Sequence, residues 1–475
     1  MPHTASELVH SRLARWARER GDALAIHSEA GQLDFATLAQ AVQGHAQALA
    51  AQRAPATVLQ DASAPLHQRL VAFLGTIASG RCAAVSDPQW PAAVLQAVQA
   101  QLPATPCDCP APTPLTPFYV GFTSGSTGLP KGFRRHHRSW TESFEVCLRT
   151  FGEAAGTCIL APGRDSHSLF LFGMLLGLWT GAGVVAQEQF SAPAALDTLR
   201  SGQTPCLVAV PSQLLLMLEW AQHRQLAPIT ATRLILISGA RWPRARTAEL
   251  QALFPQARII EFYGASETSF IAWTDSQPDL PDDVVGTPFA TVEVEVRGAS
   301  PDSPEGLIYV RSPMVFIDYE GNANDHTAAL RDGDWICVRD LGSLDALGRL
   351  HVAGRESRML VTLAKKLFPE ELETVLEAHP AVAHASVHGL PDAQRGVQVV
   401  AVLQWADATA ERPSLQALQA WCRSRLEAFK LPRHLWVATE WRFTASGKTD
   451  HRALAQALDQ HRQTPQEPAW LNPWH

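Results

Sequence analysis

The sequence predicts an α/β protein with a large N-terminal domain of βαβ units followed by a small α+β domain, and three observations carry that prediction. Short β-rich apolar runs at 206–210, 234–237 and 258–262 alternate with helical stretches at 212–223 and 245–254. That alternation is what a parallel sheet demands, because each return to the same edge needs a crossover helix. After about residue 285 the texture changes to shorter alternating strands, 291–297 and 306–311, divided by Pro, Gly and Asp. Such a stretch fits a small β-barrel or an antiparallel sheet. The C-terminal part carries a helix at 369–378, a strand near 397–403, a second helix near 414–427 and a tail rich in Pro and Trp. The expected division is a large domain, 1–356, and a small one, 357–475.

Composition narrows the class. The chain has 475 residues, 46% hydrophobic and 18% charged, so it can bury a large core and is not a disordered chain. Its 39 basic and 46 acidic residues give a net charge of −7, which argues against a general nucleic-acid binder. The eight cysteines, at 82, 107, 109, 147, 158, 206, 337 and 422, are scattered, and a chain of this size folds without disulfides. Reduced thiols and a cytoplasmic location are expected. The pair at 107 and 109 lies among prolines with no second pair at zinc spacing, and reads as a surface loop. The first 20 residues mix Leu and Val with Arg, His and Glu and show no secretory signal. The run 169–186 (LFLFGMLLGLWTGAGVVA) just reaches spanning length, but its Gly-Ala-Gly break predicts a buried helix and a core strand rather than a membrane span.

The most informative segment is 119–132, YVGFTSGSTGLPKG. Gly121, Gly125, Gly128 and Gly132 let main-chain N–H groups turn toward an anion without Cβ obstruction. Thr123, Ser124, Ser126 and Thr127 add hydroxyl donors and Lys131 a point charge, a set suited to a polyphosphate. The spacing is not that of a P-loop ATPase, because Gly132 rather than Ser or Thr follows the lysine. Apolar strand residues precede the loop and a helix-like stretch is expected after it, which disfavours a flexible linker.

This segment resembles the phosphate loop of the adenylate-forming superfamily, which contains acyl- and aryl-CoA synthetases, luciferases and peptide-synthetase adenylation domains. Further motifs appear in the family's order over nearly the whole chain. Residues 261–267, EFYGASE, resemble the second nucleotide motif. The resemblance implies that Glu261, Phe262, Tyr263 and Gly264 line the nucleotide, with Tyr263 on adenine. It also implies that Ser266 lies by the α-phosphate and that Glu267, with Thr123, holds Mg²⁺. A carboxylate beside a phosphate loop is in any case a natural magnesium ligand. Gly239 and Ala240 follow the 234–237 strand and match the loop beside the acyl and adenine sites. Asp340 falls where the family places the ribose-binding carboxylate, although Arg339 stands where a Gly is usual, and Arg355 matches a further ribose or phosphate contact. Lys448, in 443–452 (FTASGKTDHR), resembles the lysine of the mobile small domain that bridges substrate carboxylate and α-phosphate. His167 matches the gating residue of acyl and aryl synthetases. Amino-acid-activating relatives place an Asp there, and a neutral imidazole is no counter-ion for an ammonium. A structural His at a helix start is the competing reading.

The resemblance therefore implies ATP, Mg²⁺ and a small carboxylic acid lacking an α-amino group, with coenzyme A as acceptor or, alternatively, the phosphopantetheine of an acyl carrier protein. The acceptor loop departs from the pattern: Ser357 takes the hinge position, and Leu363 and Ala364 replace glycines. A Cβ there narrows a thiol tunnel or demands a different backbone, so a nucleotide- or acyl-binding protein without turnover stays open as an alternative. Lys365 and Lys366 suit the phosphates of CoA or an acidic carrier protein. A P-loop phosphotransferase, releasing ADP, is the third reading.

Overall fold

The computed structural model describes residues 7–123, 130–300, 304–320, 329–362, 365–392, 396–406, 412–444, 447–464 and 467–474. The chain forms two compact units. One comprises Met1–Leu280, Val285–Glu295 and Tyr309–Val338; the other comprises Pro281–Val284, Val296–Ile308 and Arg339–His475.

In the first unit the strands Arg258–Ala265, Leu234–Ile237, Cys206–Ala209, Ile159–Ala161, Val184–Ala186 and Leu24–Ser28 lie side by side in that order, all parallel. The register is even, with Leu234 beside both Cys206 and Arg258. Helices Ala192–Arg200, Pro211–His223 and Thr247–Leu253 cover one face, where Leu196, Leu199, Leu214, Met217 and Leu250 pack on Leu207, Ile235 and Ile259. Both faces of such strands are buried, which is why they read as unbroken apolar runs. The expected 245–254 helix begins with a 3₁₀ turn, Arg244–Arg246. The apolar 169–186 run is the buried helix Ser168–Thr180 followed by the buried strand Val184–Ala186. Thirteen residues rise only about 20 Å, and no helix among the described residues is long and apolar enough to cross a membrane.

A second sheet in this unit has the order Thr57–Leu59, Cys82–Ala84, Pro117–Thr123, Lys131–His136. The last two strands are antiparallel, with Thr123 opposite Lys131. The loop expected to lead into a helix thus returns first as a strand, and the helix His137–Phe151 follows. Within this unit, 309–311 and 330–337 pair antiparallel; within the other, Asp340–Leu344 pairs with Leu350–Arg355. These strands form open ladders, and no closed barrel exists among the described residues.

The second unit is built on the sheet Val382–Asp392, Gly396–Trp405, His434–Ala438, Leu471–Trp474. Alternate residues of one strand serve opposite faces. Val399, Ala401 and Leu403 meet helices Pro369–Glu377 and Leu415–Arg423, whereas Val400 and Val402 meet His451–Gln463. The second helix stops short of its expected end, at Arg423. The tail rich in Pro and Trp supplies the edge strand Leu471–Trp474, the one place in a sheet where Pro473 costs no ladder bond.

Three imidazoles near the start of helix His137–Phe151, His137 buried and His10 and His136 half-buried, tie stability to pH. His137 stacks on Phe118 and its Nδ1 accepts the Val9 N–H, His10 packs edge-on against it, and His136 accepts from Ser139 N. Burial, the leading cause for each, lowers His137 to about 3 and His10 and His136 to about 4. The unfolded chain protonates these rings near pH 6.5 while the folded one resists. Their contribution is therefore complete above that pH and is lost as pH falls toward 4. Urea midpoints should drop between pH 7.5 and 5 by an amount equal to roughly 1–2 kcal/mol per histidine; a midpoint that holds or rises would contradict this.

Candidate active site

The five central residues of the glycine-hydroxyl loop, Ser124, Gly125, Ser126, Thr127 and Gly128, lie outside the described residues. Its two anchors, Thr123 and Lys131, are paired across the hairpin. Lys131 Nζ sits 3.8 Å from the ring centroid of Tyr319. Tyr319 Oη in turn donates to Glu267 Oε1 at 2.9 Å. Main-chain pairing fixes that tyrosine: Phe133 and Tyr319 form a bridge, Glu320 N donates to Gly132 O, and Arg134 forks onto Asp318 at 2.6 Å twice. A lysine of the first motif and the carboxylate of the second thus flank one aromatic side chain. Nothing in the sequence spacing singles out Tyr319.

The second motif is the end of strand Arg258–Ala265 and the turn into Ser269–Asp275. A bulge follows Tyr263, and a Cβ on Gly264 would lie 1.9 Å from the Ser269 carbonyl oxygen, so only glycine fits. Glu267 is buried, and its carbonyl accepts from Phe316 N. Beneath the turn lies Arg135, 1% exposed, which donates to Ser266 O at 2.6 Å, to Ser269 Oγ, and to the carbonyl of Met314. Desolvation lowers its pKa to about 9, opposed by the nearby Glu267 charge. Glu261 is half-buried and both its oxygens are held by the buried Arg244 at 2.9 and 3.0 Å, so its side chain braces the strand. Phe262 gives its carbonyl to Ser238 Oγ and its ring edge to Phe270. Tyr263 and Ser266 are half-buried beside it; Gly239 turns the chain at φ 92° and Ala240 is exposed.

His167 immediately precedes helix Ser168–Thr180 and packs against Phe170 at 5.2 Å between ring centroids. Two residues earlier, Asp165 is buried in a two-bond ion pair with Arg69, which also binds Glu188 at 2.7 Å. Burial raises the Asp165 pKa and the Arg69 contacts oppose the rise.

In the second unit Asp340 is buried and faces Arg355 Nε at 3.3 Å across paired strands. Arg339, at the position where a glycine is usual, has φ 63°, the left-handed conformation that glycine adopts without penalty; its guanidinium reaches Glu356 at 2.7 Å. Arg358 binds Glu370 and Glu373, Glu373 also accepts from Val387 N, and His451 approaches Glu373 at 3.7 Å. Ser386 Oγ bonds both His388 and His451 at 2.8 Å. This network, not apparent in the sequence, anchors the residue that starts helix His451–Gln463. Just before that helix, Lys448 stands exposed on a tight loop closed by Thr444 N donating to Lys448 O and by the Phe443–Thr449 bridge. Leu363 and Ala364 lie outside the described residues, and Lys365 is exposed with its Nζ 4.8 Å from the Phe429 ring centroid.

Among the described residues no three His, Cys, Asp or Glu side chains cluster as a metal cage. Magnesium does not need one, because it takes one or two carboxylates and completes its shell with phosphate and water oxygens. The buried carboxylate of Glu267 fits that chemistry.

Comparison with known proteins identifies the family. The profile of the AMP-binding enzyme family matches residues 54–320, and that of the AMP-binding enzyme C-terminal domain matches 371–448. The chain is 34% identical over 384 residues to an uncharacterized acyl–CoA ligase, YhfT, of Bacillus subtilis, covering 79% of this chain and 76% of that one. A putative long chain fatty acid–CoA ligase, VraA, of Staphylococcus epidermidis is 29% identical over 342 residues, 72% of this chain and 71% of the relative. The o-succinylbenzoate CoA synthetase MenE of B. subtilis, solved with its acyl-adenylate OSB-AMP, superimposes with a TM-score of 0.79 at 22% identity, over 94% of this chain and 98% of that one. The chain belongs to the AMP-binding enzyme family.

Two substitutions test the local account. Arg135→Lys loses the forked donors that reach buried carbonyls and should cost roughly 2–4 kcal/mol in urea unfolding; a loss under about 0.5 kcal/mol would show that the turn does not rely on the fork. At Arg339, Val should destabilise by about 1–2 kcal/mol through left-handed strain, while Gly should stay within about 1 kcal/mol of the parent. Equal effects of Val and Gly would remove strain as the cause.

Proposed function

We propose that this protein is an AMP-forming acid–CoA ligase that takes a carboxylic acid without an α-amino group. The observation that carries the reading is the convergence of Lys131, Tyr319 and Glu267, which sets a cation and a buried carboxylate at the foot of the glycine-hydroxyl loop. Amides and hydroxyls of 124–128 with Lys131 hold the phosphates of ATP. Tyr263 packs on adenine, Gly239 and Ala240 border it, Ser266 lies toward the α-phosphate, and Asp340 with Arg355 takes the ribose hydroxyls. Glu267 and the Thr123 hydroxyl would hold Mg²⁺, which supplies charge neutralisation on the phosphates. A carboxylate oxygen of the acid attacks the α-phosphorus and pyrophosphate leaves; Lys448 stabilises the charge gathering on the oxygens involved. The CoA thiolate then attacks the acyl carbon of the adenylate, and AMP leaves.

The acid is assigned by elimination at one position. His167 provides no ammonium counter-ion, and the nearby Asp165 is consumed by Arg69, so neither side chain is offered to an α-amino group. We assign the boundary of the large and small domains to 356/357, with Ser357 as the hinge, and the protein to the cytoplasm, which suits its unbridged cysteines.

A pyrophosphate-release screen across aliphatic and aromatic acids should show acid-dependent turnover with AMP as the nucleotide product; ADP would overturn the reading. Lys448→Ala should lower adenylate formation by roughly 10²–10³-fold while slowing thioester formation from preformed acyl-adenylate far less. Unchanged adenylation would remove the role given to this lysine. Mass analysis should find the thioester on CoA; acyl groups found solely on the phosphopantetheine of a carrier protein would correct the acceptor.

A further inference from the structure

Outside the site just described, the most reactive group of side chains lies on the proline-rich segment before strand Pro117–Thr123. Cys107 and Cys109 are both partly exposed and unbridged, and their sulfurs stand 3.1 Å apart, the Cys109 S–H donating to Cys107 Sγ. The segment is held rather than loose. Cys107 N donates to Arg53 O, and the nearly buried Arg81 donates to the carbonyls of Cys107, at 2.8 Å, and Ala54, at 3.0 Å. Arg53 forks onto Asp108, the residue between the two cysteines. Pro55 and Pro106 form a bridge. The ordering that a short ring needs is therefore already present in the backbone.

We propose that Cys107 and Cys109 form a vicinal dithiol that closes reversibly to an intraloop disulfide by exchange with a small-molecule disulfide. Two alternatives fit less well. Two thiolates on a tetrahedral zinc stand about 3.8 Å apart, wider than this pair, and no third His, Cys, Asp or Glu ligand joins them among the described residues. A disulfide bond of about 2.05 Å needs the sulfurs to close by only about 1 Å. The direction of the hydrogen bond assigns the order of events, because it leaves the proton on Cys109 and turns a Cys107 lone pair toward it. The Cys109 thiol is held up to about 11, first by desolvation and then by its bond to Cys107. Cys107 attacks one sulfur of the disulfide R–S–S–R and expels RS⁻. Cys109 then gives up its proton, and its sulfur attacks Cys107 Sγ in the mixed disulfide, expelling the second RS⁻. The loop loses two protons and two electrons, and R–S–S–R leaves as two RSH.

The remaining thiols do not compete. Cys82, Cys147, Cys206, Cys337 and Cys422 are buried, and burial lifts the half-exposed Cys158 to about 11. The pair also lies away from Thr123, the described residue that leads into the glycine-hydroxyl loop. Arg81 leads into strand Cys82–Ala84, which runs parallel to Pro117–Thr123, so the dithiol lies at the start of these strands and Thr123 at their far end.

The test treats the full chain with oxidised glutathione and follows intact mass and the peptide containing residues 103–112. The expected product has lost two hydrogens, carries no glutathione, links 107 to 109, and forms at least ~10-fold faster than any adduct at Cys158. Cys109→Ser should trap a lasting glutathione adduct on Cys107, and Cys107→Ser should react at least ~10-fold more slowly. Acid-dependent pyrophosphate release should be equal in both variants and the parent, which verifies folding without depending on the thiols. A parent protein that accumulates glutathione adducts on this loop without closing the ring, or that reacts no faster here than at Cys158, overturns the proposal.

Discussion

The meeting of Lys131, Tyr319 and Glu267 rests on one buried guanidinium. Arg135 leaves the returning strand of the loop hairpin and reaches the carbonyls of Ser266 and Met314 and the hydroxyl of Ser269. Arg135 and these partners together span three segments far apart in sequence: the hairpin, the second-motif turn, and the stretch that delivers Tyr319. A charge buried to this degree is tolerated only when its donors are answered. Satisfying Arg135 therefore forces the three segments to one place, and the Lys131–Tyr319–Glu267 contact follows from that placement.

Much of this was legible in the sequence, and the physics explains which parts. The central parallel strands announce themselves because both faces are buried, as at Leu234–Ile237. Glycines at 239 and 264 mark places where the backbone has no room for anything larger or turns left-handed, so they can be read as motif points. Arg135 and Tyr319 could not be found this way, since their partners come from residues more than 50 positions away. The strand at 131–136 was also missed, because KGFRRH has no clean apolar alternation and its pairing with 117–123 is tertiary. Of the two readings of the stretch after 285, the antiparallel sheet is the one seen among the described residues, since local alternation predicts strands but not closure.

The small unit shows the same division. Its sheet strand Gly396–Trp405 is apolar at successive positions because helices lie on both faces, so it was visible at once. The bonds linking Arg358, Glu373, Ser386 and His451 were not, since each residue alone looks like an ordinary surface polar group. Together they connect the segment following Arg355 to the helix following Lys448. A lysine on a short, exposed loop keeps a defined position only if the base of the loop is held, and this network holds the helix that follows it.

The pairing of Asp165 with Arg69 and Glu188 bears on how the scaffold could be retasked. Installing a carboxylate for an amine-bearing substrate by freeing Asp165 would take two bonds from the buried Arg69 and leave its charge to Glu188 alone, so the shortest-looking route is costly. A protein engineer would have to import a new acid at 167 itself and leave the older trio intact.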